Sequence, residues 1–162
     1  MIDIDHDDTI TKTLMLFVQT AHAVLKYADA HFYRKARLSV IKHIVLQVLA
    51  ANGGTMAPSE VAKWTLRERH NITTLVDRLK KDGLVRVHRN NKDKRFVNIT
   101  LTGKGWEVLS QVRPAAREIV EQVMLSISEG DAVLLEKLMK VLRRNAHSGF
   151  EHVANHSRPQ PD

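Results

Sequence analysis

Between His70 and Leu79 the chain sets aliphatic side chains against polar and cationic ones. Ile72, Leu75, Val76 and Leu79 recur at three- and four-residue steps, the spacing that lines one face of an α-helix. Between and beyond them lie His70, Asn71, Thr73, Thr74, Arg78, Lys80 and Lys81. Two roles suit a helix with such an outer face: a plain solvated surface, or the reading of a nucleic-acid groove.

The charge distribution favours the second. Between Glu60 and Lys104 there are twelve lysines and arginines against five acids, a surplus equal to the +7 of the whole chain. The rest of the sequence is balanced, with thirteen of each sign. Cations concentrated in this way are the footprint expected of phosphate binding, where neutralised phosphates release counterions.

Other chemistries find less support. The 162 residues, 43% hydrophobic and 27% charged, suit one domain with a real core. No apolar run approaches the roughly 20 residues needed to span a bilayer, so no membrane partner is expected. The start, "MIDIDHDDTI", lacks the basic-then-apolar order of a signal peptide. Cysteine is absent, which excludes disulfides and thiolate ligands and suits a reducing compartment; a cytoplasmic location is expected. There is no nucleophile elbow, phosphate-cradling glycine loop or carboxylate pair spaced for acid–base work, so neither an enzyme nor a cofactor is expected.

The elements that would position the basic face can be read from periodicity and punctuation. Residues 1–8 are acidic and read as a flexible arm. From Thr9 to Lys35, Leu14, Phe17, Val18, Ala21, Leu25, Ala28 and Phe32 mark a long amphipathic helix. Ser39 can cap a second helix carrying Val40, Ile41, Ile44, Val45, Val48 and Leu49, closed by "NGG". Pro58 and Glu60 suit the first turn of a third, and the stretch from His70 supplies a fourth, ending at Asp82-Gly83. The period then falls to two: "LVRVHR" and "RFVNITLT", separated by "NNKDK", predict a β-hairpin with a basic tip. A further helix follows with Leu109, Val112, Ala116, Ile119 and Val123, which Pro114 should kink or divide. Ser128-x-x-Asp131 opens a last helix with Leu134, Leu135, Leu138, Val141 and Leu142, and residues 146–162 read as a flexible tail. The fold expected is mainly α with a small β-hairpin wing: a winged helix-turn-helix at 36–103, its helix-turn-helix near 58–82 and wing near 84–101. The flanking helices, 9–35 and 104–145, are too long merely to cover a small core, and a second copy is the natural partner for their apolar surface.

In "PSEVA", "ITTLVDRLKKDGLV", "DKR" and "ITLTGKG", taken in that order and spacing, the sequence resembles the MarR-type winged-helix transcription regulators. The resemblance covers most of residues 9–145. It implies a homodimer whose terminal helices intertwine, seating paired winged helices on a pseudo-palindromic operator in double-stranded DNA. A helix fits the major groove, about 12 Å wide, and two-fold symmetry puts the second about 34 Å along. On that basis Arg69, His70, Asn71, Thr73 and Thr74 face the DNA. Arg69, Asn71 and Thr74 are expected to read bases, while Arg78 and Ser59 hold the backbone. In the wing, Asp93 and Arg95 match the family's bracing Asp-x-Arg, with Lys94 where arginine is common; Arg89, Lys92, Lys94 and Arg95 are its DNA-contacting cations. Lysine lacks arginine's planar fork, so minor-groove readout at that position is expected to be weaker or displaced to Arg89 or Lys92. Val87 stands where the family often has arginine, and "TLRERH" puts Leu66 and Glu68 where a small residue and a serine cap are usual.

Family members often bind an effector between their dimerisation and DNA-binding parts. His22, Tyr27 and His43 are the candidates here, with His31, Tyr33 and Arg34 nearby, and an aromatic acid or phenol is the ligand class they suit. His147, His152 and His156 raise a metal-sensing alternative, but no specific metal site is assigned. The expected function is a repressor released by a small molecule; the alternative is a non-specific, architectural DNA-binding protein.

Overall fold

The structure is a computed structural model that describes residues 8–65, 69–89 and 97–156. Among the described residues, six helices and three strands follow one another as α1 (Thr9–Ala36), α2 (Val40–Ala51), β1 (Thr55–Met56), α3 (Pro58–Thr65), α4 (Arg69–Lys81), β2 (Val85–Arg89), β3 (Val97–Leu101), α5 (Gly103–Val123) and α6 (Glu129–His156). They form two compact units, the first ending at Val123 and the second comprising the remainder.

Local chemistry accounts for the boundaries. Asp8 caps α1, its carboxylate accepting from the Thr11 amide, the Thr11 hydroxyl and the Ile10 amide, and those bonds hold its pKa below the ordinary value. Ser39 caps α2 through the Lys42 amide, as expected. Glu60 reaches back to the Ala57 amide at 2.9 Å, one half of a capping box that starts α3. At the end of α4, Gly83 takes φ +74°; its amide bonds to the Lys80 carbonyl and that of Leu84 to Leu79, a Schellman stop. Thr102 opens α5, its hydroxyl accepting from the Gly105 amide.

The core of the first unit joins α1 (Ala28, Phe32), α2 (Val45, Leu46, Leu49), α3 (Val61, Ala62), all four apolar positions of α4, and α5 (Leu109, Val112, Ala115, Ile119). Met56, Val85, Ile99 and Leu101 add the inner face of an antiparallel sheet of order β1-β3-β2. In its register Val85 faces Leu101 and Val87 faces Ile99, which turns Arg86 and His88 outward.

Three sequence expectations change. The hairpin has a third strand, β1, pairing Thr55 with Thr100 and Met56 with Ile99. Pro114 does not divide α5, which runs unbroken through it; the turns on either side are anchored by buried Val112 and Ala115. The lost amide bond is outweighed by that packing. The last helix does not stop at Asn145: α6 continues to His156, through eleven residues of the stretch read as a flexible tail.

Within the second unit Ser128 caps α6 through the Asp131 amide, as its motif predicts. The Asp131 carboxylate accepts from the Ser128 hydroxyl at 2.6 Å rather than from that residue's amide. Val133, Leu134, Leu135, Leu138, Phe150 and Val153 of this helix are all exposed.

Candidate nucleic-acid interface

The interface is built around the rotation of α4. Ile72 and Leu79 are fully buried and Leu75 and Val76 nearly so, which fixes the opposite side outward. Asn71, Thr73, Thr74, Asp77 and Arg78 are exposed. Asn71, Thr74 and Arg78 stand at i, i+3 and i+7, one stripe along the helix. A carboxamide, a hydroxyl with its methyl, and a guanidinium thus follow one another outward, the groups that recognise base edges and phosphates. Ser59 is exposed in the first turn of α3. Arg69 and His70 form the first turn of α4, but their side chains lie outside the described part of the molecule, as does that of Arg89 at the end of β2. Lys92, Asp93, Lys94 and Arg95, expected in the wing, lie outside the described residues altogether, as do Leu66 and Glu68, expected in the helix-turn-helix turn.

What holds α4 at its trailing end is a set of contacts that no short motif announces. The carbonyls of three successive residues are taken up by the segment that begins α5. Lys104 Nζ donates to Asp82 at 2.8 Å, the Thr102 hydroxyl to Gly83 at 2.7 Å, and the Thr102 amide to Leu84 at 3.1 Å. The Asp82 carboxylate in turn accepts from Lys42 of α2 at 2.5 Å. Asp29 of α1 accepts from the Val40 amide at 2.8 Å and so ties α2 to α1. The "ITLTGKG" stretch therefore buttresses the end of α4. Lys42 and Asp29 were missed in the sequence because their partners lie 40 and 11 residues away.

The candidate effector residues divide. Tyr27 meets His31 edge-on with ring centres 4.5 Å apart, and His43 packs on Phe32 at 4.2 Å. His22 is exposed and makes no ring contact among the described residues. The Nδ1 atoms of His31 and His43 are buried without a hydrogen-bond partner, although His31 Nδ1 comes within 3.9 Å of Glu118 on α5. Of the histidines near the end of the chain, His147 faces Glu151 at 3.9 Å. Among the described residues no three histidines or acids converge as a metal site.

Burial holds the His43 imidazole below its ordinary pKa of 6.5, so the fold favours the neutral ring. The unfolded chain takes up that proton first as pH falls below 6.5. Stability present above this value is lost as pH drops toward the lowered folded-state one. The melting temperature is therefore expected to fall between pH 7.5 and 5, and His43→Gln to flatten that part of the curve. Identical pH profiles for the two proteins would rule the effect out.

The chain is similar to known proteins in sequence and in fold. The model of the MarR family matches residues 38–95. The HTH-type transcriptional repressor NicR of Pseudomonas putida is 30% identical over 138 residues, 81% of this chain and 87% of the relative. Across the curated relatives the matched share of their own length runs from 50% to 87%. Among solved structures, the fold is shared with Sco3205, a MarR family regulator of Streptomyces coelicolor in complex with DNA. The TM-score is 0.77 and the identity 24%, over 82% of this chain and 84% of that one. It is also shared with the organohalide-sensing regulator RdhR in its 2,4-dichlorophenol-bound form, at TM-score 0.79 and 24% identity over 88% and 84%. No helix of the described residues is long and apolar enough to cross a membrane.

Proposed function

Because the chain belongs to the MarR family of transcription regulators, we propose that it is a homodimeric, sequence-specific repressor whose operator binding is relieved by a small molecule. The observation that carries this reading is the outward stripe Asn71, Thr74 and Arg78 on a helix whose other side is locked into the core. With Arg69 and His70 leading and Thr73 alongside, α4 enters the major groove. Arg69, Asn71 and Thr74 read bases, while Ser59 and Arg78 hold phosphates. Arg89, Lys92, Lys94 and Arg95 carry the wing to the minor groove, with Asp93 and Arg95 bracing it.

Two-fold assembly is supported by the surface of α1. Leu14, Met15, Leu16, Phe17 and Val18 are consecutive and all exposed, so the helix is apolar on every side over more than a turn. A helix hydrophobic all round needs partners all round. A second copy supplies them and sets two reading heads at the repeat of a duplex, about 34 Å. The effector site proposed lies at Tyr27, His31, Phe32 and His43, where aromatic faces and two unpartnered nitrogens suit a phenol or an aromatic acid. The dichlorophenol-bound relative of the same fold supports that class. Ligand would act by binding better to the state whose heads no longer match the groove. Such a protein works beside the chromosome, in the cytoplasm.

Titration of operator variants, selected from random duplexes by the wild-type protein, tests the assignment. Arg69→Ala, Asn71→Ala and Thr74→Ala should each lose discrimination at one base position, by about 1–3 kcal/mol for a full bidentate contact. Arg78→Ala should weaken all sequences alike and lower the salt slope by about one. Equal losses on every duplex for all four would remove the readout assignment. Failure of the wild-type protein to enrich any sequence would favour non-specific binding instead.

A further inference from the structure

Lys42, Lys104 and Asp82 each occupy the helix end that disfavours their charge. Lys42 stands at the third position of α2 and Lys104 at the second of α5, both at positive N-terminal ends. Asp82 follows the last residue of α4, at the negative end of that helix. Local helix electrostatics would select the opposite signs at all three positions. The three groups nonetheless converge: Lys42 Nζ lies 2.5 Å from the Asp82 carboxylate and Lys104 Nζ 2.8 Å from its carbonyl. The Lys42 side chain is only 21% exposed and that of Asp82 43%. An ion pair that solvent still reaches on its Asp82 side contributes little to stability, so folding alone gives a weak reason for the arrangement.

We propose that Lys42 is a positioning residue for DNA recognition: its ion pair with Asp82 sets the angle at which α4 presents its reading end. The inference rests on the reading of α4 as the DNA-recognition helix. Core packing of Ile72, Leu75, Val76 and Leu79 fixes the rotation of α4 about its own axis, and the strut fixes its tilt. The thirteen residues of α4 rise about 20 Å, so a tilt of roughly 5° about the Asp82 end moves the first turn by almost 2 Å. Hydrogen bonds to base edges tolerate a few tenths of an ångström, whereas attraction between cations and phosphates tolerates far more. Loss of the strut therefore erodes sequence preference before it erodes affinity for DNA in general. Because α2 is held to α1 by Asp29 at the Val40 amide, the strut also relays any shift of α1 to the recognition helix.

The test uses the full chain, the duplex it enriches from a random library, and a scrambled duplex of equal length, at one ionic strength. Lys42→Met and Asp82→Asn should each lower the preference for the enriched duplex roughly fivefold, with the melting temperature little changed. The reverse pair, Lys42→Asp with Asp82→Lys, should restore it. A mere change in electrostatic field would move the two single variants in opposite directions, since one removes a positive charge and the other a negative. Opposite shifts, an unchanged preference in both, or no recovery in the double variant would overturn the proposal. If the wild-type protein enriches no sequence, the reading of α4 falls first and the strut with it.

Discussion

Leu138→Glu is expected to leave the protein folded but monomeric, and to lower its affinity for a two-site operator by about two orders of magnitude or more. Leu138 lies in the middle of α6 and is 51% exposed, flanked at one helical turn by exposed Leu134, Leu135 and Leu142. Burying such a side chain contributes about 2 kcal/mol, and a carboxylate there would have to be desolvated without a partner. The loss of DNA affinity follows from multivalency. Once one head of a dimer is bound, the second meets its half-site at millimolar effective concentration, which raises avidity by about 10² to 10⁴. Sedimentation equilibrium beside an operator titration reads both effects. Leu138→Met, which keeps the apolar volume, should change neither. A Leu138→Glu protein that stays dimeric and binds normally would show that α6 is not in the interface.

The second large effect is expected at Gly105. A Cβ there would sit 2.3 Å from the carbonyl oxygen of Leu84 and 3.1 Å from the Leu101 side chain. The first is backbone, already bonded to the Thr102 amide, and cannot swing aside as a flexible side chain would. Gly105→Ala must therefore push α5 away from the loop that ends α4. The cost is about 2 to 3 kcal/mol, as for other overpacked sites, or roughly 5 to 10 °C in melting temperature for a chain of this size. Because the same segment buttresses Asp82 and Gly83, operator preference should fall even at temperatures where the variant is fully folded. Gly103→Ala, where a Cβ meets nothing within 4 Å, is the control and should be close to neutral. A Gly105→Ala protein with unchanged melting and binding would mean that the two elements are less tightly joined than the geometry indicates.

Much of this architecture was legible before any coordinates. The stripes of α1, α2 and α4 repeat at three and four residues, Ser39 and Ser128 are side chains that cap, and Gly83 is the residue that turns left-handed without strain. These signals are local: each depends on groups within one or two turns of the chain. What escaped notice shares the opposite property. β1 is two residues long and exists through its pairing with Thr100 and Ile99. Leu46 is fully buried on a helix so apolar that periodicity alone did not single it out. Pro114 is tolerated because buried neighbours hold both sides of it, and the run to His156 offers too sparse an apolar pattern to extend the last helix by reading alone.

The site divides along the same line. Which residues α4 turns outward was decided by the alternation of Ile72, Leu75, Val76 and Leu79 with polar neighbours, since burial of a helical stripe dictates the opposite face. How that face is aimed was decided only in three dimensions, by Lys42, Asp82, Thr102 and Lys104, whose contacts span up to 40 residues. Periodicity records which side of an element is greasy because neighbours in sequence share that side. It holds no record of which distant charge will arrive beside Asp82, because that pairing exists only after the core has brought α2, α4 and α5 together.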